Sequence, residues 1–233
     1  MRKQCVDGVD GRLVRAVRTQ LALRDALLGE GAERVGWKLG LGDSERVSGH
    51  IAVGHLTTRT CLPNGGLYVP EDVSAELHVD AEVAVELGRD LPANIGPGAA
   101  AQAIGAYAVA LEVCDLRQLP DDAESIVAGN VLHRAVTFGP WSPILPEGDL
   151  TACLLVNGEE RDSSVAETKL GPRLSEAARV LGSVGEGLRA GDRIVTSLVV
   201  QVPVAFGDHV VADMGQLGRV ALSISPHDVN AVF

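Results

Sequence analysis

The residues best suited to chemistry run from Leu77 to Asp90, where Val79, Val83, Val85 and Leu87 alternate with Asp80, Glu82 and Glu86. Alternation of period two marks a strand with two unlike faces. Asp80 and Glu82 then share a face, about 6.6 Å apart along a strand rising roughly 3.3 Å per residue. Carboxylates stacked this way repel unless something positive lies between them, and a hard divalent cation meets that need. Glu112 offers a third carboxylate from within a second apolar run, Ala106 to Asp115. A lone glutamate buried in such a run requires a partner. Asp80, Glu82 and Glu112 are therefore expected to hold one metal ion. Glu86 has the right parity but stands about 13 Å from Glu82, too far for the same ion.

Lys38 is one of only three lysines and stands among apolar neighbours and glycines in Val35 to Asp43. Glycines 36, 40 and 42 mark a strained strand or a close backbone approach. Desolvation would lower the Lys38 pKa and suit it to proton transfer, while nearby carboxylates would act the other way. His50 and His55 fall in a polar, glycine-punctuated stretch, Asp43 to Gly66, expected to be a long loop or lid carrying surface histidines. Asp115 and Arg117 are expected to contact the carboxylates from a second layer. Asn130 is either a turn residue or a site amide.

The elements around these residues are short and mostly strands. Residues 11–29 form an amphipathic helix closed by Gly29 and Gly31. An alanine-rich helix over Gly98 to Gly105 leads into the Glu112 strand. Ile126 to Pro140 reads as a strand pair, or as one strand entered through a turn at Gly129-Asn130. Asn157-Gly158 signals a hairpin after a strand at Ala152 to Val156. Pro172 opens a helix with Leu174, Ala177, Ala178 and Leu181 on one side. Strands follow at 193–197, 199–204, 209–213 and 219–225. The expected fold is α+β, a mixed, rolled, barrel-like sheet with a few flanking helices. An N-terminal helical segment (1–34) precedes a single catalytic domain (35–233). No β-α-β alternation, dinucleotide fingerprint or phosphate-binding loop supports a nucleotide-binding reading.

Composition sets the outer limits. With 46% hydrophobic but only 3% aromatic residues, the core must be aliphatic. A formal charge of −11 argues against nucleic acid or an anionic membrane as partner, though a bound cation can reverse the sign locally for a small anionic substrate. Four scattered cysteines without a C-x-x-C pair, no long apolar run and no signal sequence indicate a cytoplasmic protein with reduced thiols.

These motifs together resemble the fumarylacetoacetate hydrolase superfamily, nearest its 2-keto-4-pentenoate hydratase and 4-oxalocrotonate decarboxylase branch. Gly36-Trp37-Lys38-Leu39-Gly40-Leu41 is similar to the branch's G-x-K-x-G-L segment. Val79 to Leu91 resembles its acidic strand, and Ala110 to Arg117 its next motif, with Asp80, Glu82 and Glu112 on the three ligand positions. The resemblance implies a Mg²⁺ or Mn²⁺ ion chelating a small 2-oxo acid, with Lys38 and Asn130 catalytic. Leu41, His133 and Ser197 fall at substrate-binding positions. It further implies a homo-oligomer, or pairing with a related enzyme. The departures are Asp80 where glutamate is usual, and Gly129-Asn130-Val131-Leu132 where the branch shows Asp-Asn-Ala-Ser. His133, just beyond, is a candidate replacement for a lost polar group. The lid segment lacks the H-x-x-E dyad of the C–C hydrolases. Hydration of a 2-hydroxydienoate is therefore the expected activity, with decarboxylation, tautomerisation or a non-catalytic binding role as alternatives.

Overall fold

The structure, a computed structural model, describes residues 5–6, 8–40, 50–117 and 122–226, with the side chains of 5, 6, 197 and 198 not described. In chain order the elements are β1 (Cys5–Val6), β2 (Val9–Asp10), α1 (Gly11–Gly29), β3 (Arg34–Gly40), β4 (Ala52–Thr57), β5 (Cys61–Leu62), β6 (Gly66–Tyr68), β7 (Leu77–Leu87), α2 (Pro97–Ala101), β8 (Ile104–Asp115), α3 (Ala123–Ala128), β9 (His133–Phe138), β10 (Thr151–Val156), β11 (Glu159–Val165), α4 (Gly171–Gly182), β12 (Arg193–Pro203), β13 (His209–Asp213) and β14 (Arg219–Ile224). No helix among the described residues is long and apolar enough to cross a membrane.

Seven strands form the main sheet in the order β4-β3-β12-β7-β8-β9-β5, and five form a second, β11-β10-β13-β14-β6. The connectivity forces the main sheet to roll. Its end strands β4 and β5 are joined only by Thr58 to Thr60, a link that reaches about 14 Å when extended. A flat seven-stranded sheet would hold its end strands about 29 Å apart at 4.8 Å spacing. Leu56 of β4 accordingly meets Val136 and Phe138 of β9 across the interior, over Ala84, Ala110 and Val195 from the middle strands. The alanines leave room for this inner cluster. The outer face carries Trp37, Leu39, Val79, Ala81, Val83, Val85, Val109, Leu111 and Val113. These pack on Leu154, Val210, Ala212 and Leu222 of the second sheet, and in the same core on Leu13, Val17 and Leu21 of α1 and Leu174 and Leu181 of α4. This is the expected rolled α+β architecture with an aliphatic core.

Local chemistry explains the helices. Asp10 caps α1 by accepting from the Arg12 N–H, and Pro172 sits in the first turn of α4. Asn157 (φ 55°) and Gly158 (φ 85°) make the left-handed turn of the β10–β11 hairpin. Three expectations need correction. The stretch from Asp43 to Gly66 is not all loop, because β4 is a fully buried strand within it, as is His55, and His50 is half-buried. Gly54 and His55 interrupt the apolar alternation that would have revealed it. Of the two readings of Ile126 to Pro140, the strand pair falls because Ile126 to Ala128 belong to α3, while the single strand entered through a turn at Gly129-Asn130 stands as β9. The two strands read at 193–204 are one, β12, bent by irregularities between Val195 and Ser197 and between Leu198 and Val200.

Gly36 shows how closely β3 is pressed to β12. Its φ is 154°, and a Cβ there would lie 2.0 Å from the Arg193 carbonyl oxygen. Gly36→Ala is expected to lower unfolding stability by about 3 kcal/mol or more, read as the urea midpoint. An unchanged midpoint would mean that β3 and β12 do not pair this closely.

Candidate metal and keto-acid site

Antiparallel pairing of β7 and β8 sets Asp80 directly opposite Glu112, with Glu82 opposite Ala110 and Cys114 opposite His78. Residues two apart share a face, so Asp80, Glu82, Glu112 and Cys114 all point to the inside of the rolled sheet. Lys38 reaches the same space from β3, because its neighbours Trp37 and Leu39 both enter the outer core. All five are buried, Glu112 completely.

The Lys38 Nζ lies 2.6 Å from Glu112 Oε2 and donates to the Val131 carbonyl at 3.3 Å and toward Cys114 Sγ at 3.8 Å. On the other side of Glu112, the fully buried His133 brings Nδ1 to 2.6 Å from Oε1 and Nε2 to 3.0 Å from the Thr60 hydroxyl. An ionised carboxylate can only accept, so Nδ1 carries the proton. Asp80 accepts from Gln201 Nε2 at 2.7 Å and from the Cys114 thiol at 3.7 Å. Glu82 Oε2 is buried with no hydrogen-bond partner among the described residues.

Burial and mutual repulsion divide the charges unevenly. Desolvation first, and then the Glu112 charge, push Asp80 up to about 6 and Glu82 well above the usual carboxylate range. Desolvation acts on Glu112 too, but Lys38 and His133 outweigh it and hold that group low. Burial likewise pulls on the Lys38 ammonium, and the surrounding Cys114, Glu112, Glu82 and Asp80 overcome it and hold the pKa high. Of the two opposing effects on Lys38, the carboxylates win.

The donor set fits a cation. Three buried carboxylates face one ammonium, and among the described residues Glu82 Oε2 has neither a hydrogen-bond donor nor an ion-pair partner. Asp80, Glu112 and Cys114 offer ligand atoms all within 4.8 Å of one another. Hard oxygen donors with excess negative charge suit Mg²⁺, Mn²⁺ or Ca²⁺.

Asn130 enters differently. Its Oδ1 accepts from the His55 N–H at 2.7 Å and its Nδ2 donates to the His55 carbonyl at 3.1 Å. The amide therefore clamps β4 rather than pointing at the acids. It opens a left-handed turn in which Asn130, Val131 and Leu132 have φ of 62°, 54° and 64°. Gly54 makes the clamp possible, since a Cβ there would meet Lys38 Cγ at 2.8 Å and Asn130 Oδ1 at 3.0 Å. His55, next to Gly54, is desolvated and held down to about 4. Ser197 lies in β12 opposite Val83, and Leu41 lies outside the described residues. Asp115 does not reach the carboxylates as expected. It has the opposite parity to Glu112 and binds the Glu76 and Arg117 N–H groups.

Cys114, Gln201, Thr60 and the Val131 carbonyl were not singled out in the sequence. Parity with Glu112 could have found Cys114, whereas only cross-strand register finds Gln201. Beyond His133 lies a cavity of about 560 Å³ with Thr60, Tyr68, Arg59, Arg117 and Arg134 in its wall.

Residues 47–225 match the sequence model of the fumarylacetoacetate (FAA) hydrolase C-terminal domain. The chain belongs to the fumarylacetoacetate hydrolase family. It is 30% identical over 239 residues to a 2-keto-4-pentenoate hydratase of Paraburkholderia phymatum, covering 97% of this chain and 90% of that protein. It is 28% identical over 212 residues to a 4-oxalocrotonate decarboxylase of a Pseudomonas species, covering 83% and 79%. In fold it resembles the 4-oxalocrotonate decarboxylase of Pseudomonas putida G7, solved with magnesium and adipate, at a TM-score of 0.79 and 22% identity over 91% of this chain and 86% of that one. A fumarylpyruvate hydrolase of Pseudomonas aeruginosa, solved with Mn²⁺ and pyruvate, has a TM-score of 0.62 at 20% identity over 83% of this chain and 90% of that one.

The raised Asp80 pKa gives a signed prediction. A carboxyl whose folded pKa lies above its unfolded value stabilises the fold fully below the unfolded value, and that contribution is lost as pH rises through the folded pKa. A shift from 3.8 to about 6 is worth on the order of 3 kcal/mol. In chelator, the unfolding free energy of wild type minus that of Asp80→Asn is expected to fall by about this amount between about pH 4 and pH 7. A flat difference would show that Asp80 is not held against Glu112.

Proposed function

We propose that this protein is a divalent-metal-dependent hydratase acting on a small 2-hydroxydienoate or its 2-oxo form. The observation that carries the reading is the convergence of Lys38 with Asp80, Glu82 and Glu112 on one buried, apolar-backed sheet face. The hydratase relative supports it by aligning along almost the whole chain. A Mg²⁺ or Mn²⁺ ion held by Asp80, Glu82 and Glu112 would supply Lewis acidity toward the 2-oxo and carboxylate oxygens of the substrate.

The remaining work falls to the chain's own side chains. Lys38 holds a proton at Nζ at neutral pH, so it serves as an acid toward the substrate or as a counter-charge for its carboxylate. The Val131 carbonyl and Glu112 Oε2 aim that ammonium from two sides. Asn130 acts through the turn that presents Val131, and His133 keeps Glu112 in one orientation from the side opposite Lys38. Ala84, Ala110, Val136 and Val195 close the interior behind the acids against water.

Decarboxylation of a 2-oxo diacid is the second reading. It is favoured by the fold similarity to the decarboxylase of Pseudomonas putida G7 and needs the same carbanion stabilisation. Titration with Mn²⁺ followed by ultraviolet assays with 2-hydroxypentadienoate and with a 2-oxohexenedioate separates the cases. Loss of the dienoate signal supports hydration, and CO₂ release from the diacid supports decarboxylation. Metal binding without turnover of either would overturn the enzyme reading in favour of a keto-acid binder or partner subunit.

Two substitutions divide the roles. Lys38→Ala is expected to lower kcat by about a hundredfold or more while leaving Mn²⁺ affinity within about threefold. Glu82→Gln should weaken Mn²⁺ binding by about tenfold or more, measured calorimetrically. An unaffected rate in Lys38→Ala would return Lys38 to a structural role.

A further inference from the structure

The three carboxylates do not complete the inner cluster, because a sulfur atom stands among them. Cys114 follows Glu112 by two residues on β8 and so shares its face, and the side chain is buried. Its Sγ is 3.7 Å from Asp80 Oδ2, and the sulfur, an Asp80 oxygen and a Glu112 oxygen lie within 4.8 Å of one another. Two donors on one zinc-sized ion, with Zn–S near 2.3 Å and Zn–O near 2.0 Å, stand about 3.5 Å apart in tetrahedral geometry. The observed separation is already close to that. A second observation, on the same sheet face, points to a missing ligand. Glu82 is 2% exposed, and its Oε2 finds no hydrogen-bond donor among the described residues.

We propose that Cys114 is a sulfur donor to the metal centre, so that this site favours thiophilic divalent cations such as Zn²⁺, Co²⁺ or Cd²⁺ more than its carboxylates alone would. The inference rests on the metal reading above and deepens it. Carboxylates bind hard and borderline cations alike, whereas thiolate discriminates sharply for the softer ones. On coordination the thiol proton leaves to solvent and the sulfur lone pair enters the metal bond. The Lys38 ammonium, now directed toward this sulfur at 3.8 Å, would then face a metal-bound thiolate.

Cobalt and cadmium report on sulfur directly and without turnover. The metal-free full-length protein would be titrated with Co²⁺, Cd²⁺ and Mn²⁺, beside Cys114→Val, which keeps the buried volume, and Cys114→Ser, which keeps a polar atom. The expected result is a near-ultraviolet sulfur-to-cobalt charge-transfer band in the wild type that both variants lack. Co²⁺ and Cd²⁺ affinity should fall by about tenfold or more in the variants, with Mn²⁺ affinity within about threefold of wild type. If Co²⁺ binds with ligand-field bands but no charge-transfer band, and Cys114→Val leaves all three affinities within about twofold, the sulfur proposal is overturned and the carboxylate site stands. If the wild type binds none of the three ions, the metal reading itself fails and takes this inference with it.

Discussion

Everything in this molecule accommodates one awkward pairing: Asp80 and Glu112 face each other directly across two antiparallel strands, inside a rolled sheet. Two unit charges on carboxylate oxygens that lie within 4.8 Å of one another repel by about 3 kcal/mol or more at an effective dielectric near 20. Glu82 adds a third charge on the same face. Lys38 offsets part of this through its contact with Glu112, but one ammonium leaves three carboxylates net negative. Asp80 and Glu82 respond by holding protons above the usual carboxylate range. A buried arrangement of this kind weakens the fold while it lacks a cation, and that is the usual cost of a functional centre.

The outer face of the sheet supplies the rigidity the inner face needs. Trp37 and Lys38 are consecutive and point to opposite sides of β3, so fixing one places the other. The Trp37 ring is fully buried, with the Arg34 and Arg24 guanidinium groups 5.0 and 5.6 Å from its centroid. Arg34 grips Asp192 with two hydrogen bonds, and Arg24 and Arg34 share Glu186. This network fastens α1 to the body of the protein and sets the base from which Lys38 extends.

The turn at Asn130 to Leu132 shows where local strain is accepted. Left-handed backbone costs roughly 1–2 kcal/mol per non-glycine residue and suits a β-branched residue such as Val131 least. Two hydrogen bonds between the Asn130 amide and the His55 backbone, one in each direction, and one from Lys38 to the Val131 carbonyl offset it. Strain of this kind gathers at functional sites because only a well-braced surround sustains it. The turn joins one end of the rolled sheet to the buried Lys38.

How much of this could be read from the chain varies with the range of the interaction involved. Period-two alternation placed Asp80 and Glu82 on one face, because strand geometry is local. The same locality made the Asn157-Gly158 hairpin and the helices at 11–29 and 171–182 legible. The rolled fold followed from many short strands with few helices, and the three acidic positions from carboxylates set inside apolar runs, with the family resemblance agreeing on both. Strand β4 was missed because Gly54 and His55, which serve the Asn130 clamp, break its apolar pattern. Cross-strand register belongs to tertiary structure alone. It decided that Glu112 pairs in register with Asp80, that Gln201 and Cys114 attend Asp80, and that Asn130 spends its amide on β4. Those contacts join residues far apart in the chain, and only the closure of the sheet brings them within bonding distance.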